Sequence, residues 1–313
     1  MKKILAIAVA SAIAAPAMAD MTISGEVAAG YTNTSKDTAG VTGTDTAGHT
    51  DYVAEDTDQG GFGIDTAAIT ISGSETLENG LTVSASMAAG GFTRGGSVGG
   101  ENASLSISSA DMGTFKIATA NGGSGISDVT ADAEDLSGEV NNWGAEDSDY
   151  ETVSYTLPAM GPATLGLVAY ETVGLGDGDE GRSFMGTLAL DFGALTAYAN
   201  YRDYDNDAGD KRVRVGGAYD AGSVVIKAGY EDNDKSGKET ALGVTVPMGA
   251  LSLSAAYSTS EDTTGANDVD GYSVGATYAL SSNVSVNAKT ASWDDAASGE
   301  SEDKTSVLMS ISF

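Results

Sequence analysis

The sequence predicts an all-β protein that forms a closed antiparallel barrel of about sixteen strands, and two observations carry this prediction. Apolar and polar side chains alternate with a period of two in one segment after another, as in "SVLMSISF" at 306–313. Short connections rich in Gly, Pro, Asp and Asn also alternate with long ones along the chain. We find no segment with the periodicity of an amphipathic helix.

The connections set the number and orientation of the predicted strands. Seven short connections read "ETLENG", "SADMG", "LPAMGPA", "DFGA", "YDAGS", "VPMGA" and "LSSN". Eight long connections lie between them, at about 34–61, 93–101, 121–149, 173–181, 204–210, 232–237, 260–268 and 294–302. This pattern implies strands of roughly ten residues, the length that crosses a tilted bilayer. An even strand number places both termini on one side, with the short turns.

The first residues have the composition of a bacterial secretory signal peptide. The segment "MKKILAIAVASAIAAPAMAD" begins with two lysines, continues with an apolar run and ends with the small-x-small triplet Ala17–Ala19. A buried N-terminal helix explains neither the basic start nor the triplet. We therefore expect residues 1–19 to be cleaved, leaving one barrel domain over residues 20–313.

Composition and charge exclude several classes of partner. The 313 residues carry a formal net charge of −30, which argues against nucleic acid and anionic lipid surfaces, because both require Lys and Arg to neutralise phosphate. The charge favours cations or a highly hydrated surface instead. The absence of Cys excludes disulfides and thiolate metal sites and is compatible with an oxidising compartment.

The polar side of the alternation distinguishes a membrane barrel from a soluble β-sandwich. Its residues are mostly small, and the chain has only 6 Phe and 2 Trp, so the large side chains of a sandwich core are scarce. A barrel with lipid outside and water inside explains both facts, and closure leaves no unpaired strand edge in the hydrocarbon. About sixteen strands enclose a lumen too wide for side chains to fill, so we expect an aqueous channel.

Aromatic residues near the predicted strand ends indicate two interfacial girdles. Beside the short turns lie Tyr155, Tyr219, Tyr278 and Phe313. Beside the long connections lie Tyr31, Tyr201, Tyr230, Tyr257, Tyr272 and Trp293.

Together these features resemble the general diffusion porins of Gram-negative outer membranes, most closely the alphaproteobacterial type. The sharpest similarities are "MGTFKIATA" before residues 121–149, "DYETVSYTLPAMGPATLGLVAY" after them, and Phe313. The resemblance implies an outer-membrane channel for passive diffusion of small hydrophilic solutes and ions. It also implies a homotrimer, contacts with outer-membrane lipid and lipopolysaccharide, and an assembly machinery that reads Phe313 as its signal. Gly25, Ala28, Ala29 and Ala67 would supply part of a flat trimer surface.

The resemblance further implies that the third long loop, residues 121–149, folds into the barrel and narrows the pore. Its carboxylates would line that constriction and favour cations: Asp128, Asp132, Glu134, Asp135 and Glu139. Alternatively, this segment is a solvated acidic loop on the cell surface. A basic wall facing the loop would use residues at inward parity: Lys116, Arg202, Arg212, Arg214, Lys227 and Lys289. The family draws much of this charge from early strands, where this chain has only Lys36 and Arg94, both expected in loops.

Three motifs invite a binding or catalytic interpretation, and none supports a dedicated site. "GLGDGDEG" contains a literal G-x-G-x-x-G, but no helix follows it and its carboxylates would repel phosphate. "DYDNDAGD" spaces acids like a calcium loop but places its Gly one position late. His49 is the only His and lies in a loop, so we expect no catalysis. No cofactor is expected beyond Ca²⁺ or Mg²⁺ associating with acidic loops.

Two other interpretations remain open from the sequence. A secreted or surface-attached acidic β-rich adhesin or binding protein would share the signal peptide, glycine content and charge. A substrate-specific barrel channel would need an aromatic slide on its wall, for which only Tyr198 is identified at inward parity.

Overall fold

A computed structural model describes residues 20–38, 57–93, 98–120, 150–172, 182–204, 209–235, 237–264, 268–295 and 300–313. These residues form one closed antiparallel barrel in which each strand pairs with its neighbours in sequence and β1 pairs with β16. The predicted fold class and strand number are therefore confirmed. The strands are β1 (Asp20–Thr38), β2 (Thr57–Thr76), β3 (Thr82–Gly90), β4 (Gly99–Ser109), β5 (Gly113–Ala120), β6 (Tyr150–Thr156), β7 (Ala163–Thr172), β8 (Arg182–Asp191), β9 (Leu195–Tyr204), β10 (Lys211–Asp220), β11 (Val225–Asn233), β12 (Gly237–Met248), β13 (Leu251–Glu261), β14 (Asp268–Ala279), β15 (Val284–Asp295) and β16 (Glu300–Ser312).

The first hairpin is longer than the sequence pattern predicts. Strands β1 and β2 contain 19 and 20 residues, well beyond the roughly ten that cross a bilayer. The first long connection is shorter as a result. Lys36, expected in a loop, lies in β1, where its Cα pairs with Glu302 of β16 and Thr57 of β2. That expectation was wrong because polar residues continue a strand once neighbouring strands supply its hydrogen bonds.

Two of the short turns are each held by an aspartate and a glycine. An oxygen of Asp191 accepts a hydrogen bond from the backbone N–H of Gly193 at 2.8 Å. Asp220 accepts one from Gly222 at 2.7 Å in the same way. Both glycines have positive φ, at 83° and 80°, which residues with a Cβ rarely adopt. The turn chemistry of "DFGA" and "YDAGS" therefore closes the β8–β9 and β10–β11 hairpins tightly.

The seam between β1 and β16 closes the barrel. The backbone N–H of Gly25 donates to the carbonyl of Phe313 at 2.9 Å, and the N–H of Phe313 donates to the carbonyl of Gly25 at 3.0 Å. The Phe313 ring lies over Gly25 so closely that a Cβ there would meet it at 2.7 Å. Phe313 is thus held in the sheet, as predicted, with its ring exposed on the outer face.

The outer face is apolar and the inner face is polar. Exposed outward side chains include Ile23, Leu105, Leu167 and Val215. Within the described residues, no helix is long and apolar enough to cross a membrane. The strands themselves present the apolar surface, because alternate residues point to opposite faces.

Most predicted girdle residues lie on the outer face near strand ends, and one does not. The exposed tyrosines are Tyr31, Tyr155, Tyr201, Tyr219, Tyr230, Tyr257, Tyr272 and Tyr278. The Tyr155 hydroxyl donates to the Met112 carbonyl in the turn between β4 and β5. The prediction that Trp293 belongs to the aromatic girdle beside the long connections is wrong. Its side chain is buried and faces inward, because its Cα pairs with inward Gly271 and Glu302. Ala28 also faces inward rather than outward, in register with Thr66 and Ser310.

Gly30 provides a test of the seam. A Cβ at Gly30 would overlap the backbone carbonyl of Val307 on β16, whereas a Cβ at Gly63, its partner on β2, would meet nothing within 4 Å. We expect Gly30→Ala to destabilise the barrel by about 1–3 kcal/mol through steric overlap. Gly63→Ala should leave the urea midpoint of unfolding in detergent nearly unchanged. Equal midpoints for the two variants would contradict the close approach of β1 and β16.

Candidate functional site

The inward face of β1 to β6 is lined mainly by hydroxyl-bearing side chains. Ser84 and Ser86 of β3 lie in register with Ser106 and Ser104 of β4, and Ser106 in turn lies beside Lys116 of β5. These residues alternate with the outward apolar residues of the same strands. This part of the wall is hydrophilic and has few bulky side chains.

All the predicted basic wall residues lie on the inward face of the barrel, on β5, β9, β10, β11 and β15: Lys116, Arg202, Arg212, Arg214, Lys227 and Lys289. Their register partners are themselves inward, such as Ser106 and Ser154 for Lys116 and Ser306 for Lys289. The three arginines are only 1–3% exposed, whereas Lys116 is exposed and Lys227 and Lys289 are half-buried. The basic residues therefore form a buried arginine set and an accessible lysine set.

Arg214 forms a buried ion pair on the inward face of the barrel. Its Nε donates to Oε2 of Glu231 at 2.5 Å, and its Nη2 contacts the same oxygen. Glu231 is fully buried, and its Oε1 accepts a hydrogen bond from Asn233 at 3.4 Å. The pair joins β10 to β11 near the end of the barrel where the long loops emerge. Because both charges are buried, the attraction between them offsets part of the free-energy cost of removing each charge from water.

Arg202 lies among three tyrosine rings. Its guanidinium carbon is 4.9 Å from the ring centre of Tyr150, 4.1 Å from that of Tyr170 and 4.8 Å from that of Tyr204. Its Nε donates to the Ser183 hydroxyl at 2.7 Å. A cation–π contact in a desolvated site contributes about 2 kcal/mol or more. Arg202 therefore ties β6, β7, β8 and β9 together along the inner wall.

Sequence reasoning missed several of these inward residues. The sequence pattern does not distinguish Tyr150, Tyr170 and Tyr204 from interfacial tyrosines, because all of them lie near strand ends. Alternation within each strand would identify them as inward. Tyr204, for example, follows the inward Arg202 by two residues on β9. Glu231 and Glu239, directly opposite each other on β11 and β12, are also buried and inward. Their parity with Arg212 and Arg214 across the hairpin was the available signal.

The predicted acidic constriction lies outside the described residues, as do all of Asp128, Asp132, Glu134, Asp135 and Glu139. Of the calcium-like motif, Asp203 belongs to β9, with Asp205 and Asp207 beyond the described part. No group of three or more His, Cys, Asp or Glu side chains in the described ranges could hold a metal ion. The expectation of Ca²⁺ or Mg²⁺ at acidic loops therefore stays a prediction.

Comparison with known proteins decides the family. The sequence model described as "Gram-negative porin" matches residues 6–297. The chain belongs to the Gram-negative porin family. A search of curated protein sequences finds no match.

Solved porin structures share the fold at low sequence identity. The anion-selective porin from Comamonas acidovorans superposes with a TM-score of 0.67 at 16% identity, covering 94% of this chain and 100% of that chain. Two mutants of the Rhodopseudomonas blastica porin give TM-scores of 0.62 and 0.63 at 17% identity, with the same coverage. Family and fold together identify this porin as a channel of the bacterial outer membrane. They do not support the adhesin interpretation.

The buried ion pair of this porin provides a second test. Glu231→Gln removes the carboxylate charge that Arg214 contacts inside the wall, and we expect breaking this buried pair to cost about 3–5 kcal/mol of unfolding free energy. Glu171→Gln is the matched control, because Glu171 pairs with Arg182 at 3.5 Å while both side chains are 67% exposed. An exposed pair contributes about 0–1 kcal/mol. Urea unfolding of both variants in detergent should separate them, and equal losses would refute the special role of the buried pair.

Proposed function

We propose that this porin is a water-filled channel for passive diffusion of small hydrophilic solutes and ions, with a preference for cations. The closed barrel with a polar inner face and an apolar outer face is the observation that carries the proposal. A barrel of this strand number leaves an aqueous lumen, because side chains are too short to fill it. The proposal includes no catalytic step and no resident cofactor.

Charge supports the preference for cations. The formal net charge is −30, and five carboxylates lie in the segment that the family resemblance places at the constriction. A unit charge about 7 Å from a passing ion contributes roughly 0.6 kcal/mol in bulk water and more where water is scarce. The buried Arg214 is paired with Glu231, so the carboxylate cancels part of the positive field that Arg214 would otherwise exert in the lumen.

The accessible lysines favour the opposite selectivity, which is the second candidate. Lys116, Lys227 and Lys289 lie on the inward face where permeating ions pass. The structurally similar Comamonas acidovorans protein is described as anion-selective. Anion preference would follow if these lysines dominate the field in the lumen.

Assembly belongs to the same proposal. We expect three copies to pack through the outer face of the first strands, where Gly25, Ala29 and Ala67 lie at outward parity. The apolar outer face would contact outer-membrane lipid and lipopolysaccharide. We expect the outer-membrane assembly machinery to bind Phe313, whose ring is exposed beside Gly25.

Reversal potential in a salt gradient tests the selectivity. Replacing Asp132, Glu134 and Asp135 by Asn, Gln and Asn removes three charges at nearly constant volume, so we expect the reversal potential to move toward zero with little change in conductance. The shift should shrink toward molar salt, where the screening length falls to about 3 Å.

The lysines supply the control of opposite sign. Neutralising Lys116, Lys227 and Lys289 to Gln should increase the cation preference, because it removes positive charge from the wall. An unchanged reversal potential in the carboxylate variant would contradict the acidic constriction. A wild-type channel that prefers anions would favour the second candidate.

A further inference from the structure

A recess opens in the inner wall at the short-turn end of strands β7 to β10. Its volume is about 290 Å³. Its inward lining consists of Thr164, Ala189, Asp191, Thr196, Tyr198 and Ala218. We call this cavity the Tyr198 recess.

The register explains why a cavity forms there. Tyr198 is flanked on β8 by Ala189 and on β10 by Gly216, and the next inward residue of β10 is Ala218. The direct register partners of Tyr198 on both neighbouring strands are therefore small residues. The ring therefore borders the space left by Ala189 and Ala218.

The Tyr198 ring is fixed in place. The side-chain Nδ2 of Asn200 donates to the Tyr198 hydroxyl at 2.8 Å. Asn200 is itself 4% exposed and sits two residues further along the same face of β9. A ring whose orientation is set before a ligand arrives loses little freedom on binding.

The chemistry of the lining selects the kind of ligand. The Tyr198 ring and two alanine methyl groups offer apolar contacts, and two threonine hydroxyls and the Asp191 carboxylate offer hydrogen bonds. The carboxylate disfavours anions, and the apolar floor disfavours any ion that must keep its hydration shell. A neutral ring with an apolar face and a rim of hydroxyls satisfies both parts of the lining.

We propose that the Tyr198 recess is a weak binding site for a single neutral sugar ring on its way through the channel. The sugar stacks one face on Tyr198 and hydrogen-bonds Thr164, Thr196 and Asp191. The volume of about 290 Å³ accommodates one ring, and the single tyrosine offers one stacking surface. This site goes beyond passive diffusion, because a bound sugar occupies the wall for a finite time.

Glucose in planar bilayers tests the proposal with the full-length porin. We expect glucose to reduce the ionic current in a saturable manner and to add current noise beyond the effect of viscosity. Tyr198→Ala should weaken the apparent affinity roughly three- to tenfold by removing the stacking surface. Maltose, with two rings, should show no tighter binding than glucose.

A second pair of variants distinguishes loss of the binding site from misfolding of the barrel. Ala218→Leu fills the recess while leaving Tyr198 intact and should also weaken the glucose effect. Ala228→Leu is its control, because Ala228 lies on the outward face of the adjacent strand β11. Ala228→Leu should keep both the glucose effect and the open-channel conductance measured without sugar.

Three results would overturn the assignment. These are a linear glucose effect without saturation, an unchanged glucose effect in both Tyr198→Ala and Ala218→Leu, and a cationic amine such as glucosamine blocking strongly where glucose does not. A channel that conducts without responding to glucose contradicts only this inference. Absence of any conductance contradicts the proposed channel itself.

Discussion

Backbone hydrogen bonding in hydrocarbon is the constraint on which the whole structure depends. A strand surrounded by lipid has no water to satisfy its N–H and C=O groups, so a membrane-spanning sheet must close on itself. In this chain the closure falls between β1 and β16, where Gly25 and Phe313 exchange two backbone hydrogen bonds. The glycines at 25 and 30 allow the two strands to approach, since a Cβ at either position would overlap β16 or Phe313.

Closure also determines what the inner wall can do. Because the outer face of each strand contacts lipid, every inward side chain either faces water or packs against other inward side chains. Between β6 and β12 the second case holds near the long-loop end, where Arg202 lies among tyrosine rings and Arg214 pairs with Glu231. Elsewhere the wall keeps accessible lysines, hydroxyls and the Tyr198 recess. The packed part of the inner wall thus stabilises the barrel, and the accessible part contacts permeating solutes.

Period-two alternation and turn composition were sufficient to predict the barrel, its strand number and the inward position of all six basic residues. Parity alone could not say which of them would be buried, because burial depends on partners from other strands: Glu231 reaches Arg214 only through the β10–β11 register. Trp293 and Tyr204 were misread or missed for a related reason. An aromatic residue near a strand end fits the interface or the lumen equally well, and one residue of register decides between them.

The central claim is that a water-filled lumen lies behind the hydroxyl-lined face of the strands, and cysteine accessibility tests it most directly. The chain has no native Cys, so single substitutions along β4 give an unambiguous signal. In lipid vesicles, Ser104→Cys and Ser106→Cys should react with a membrane-impermeant maleimide, whereas Leu105→Cys and Ile107→Cys should not. Labelling of the two apolar positions but not the serine positions, or equal labelling of all four, would contradict the account.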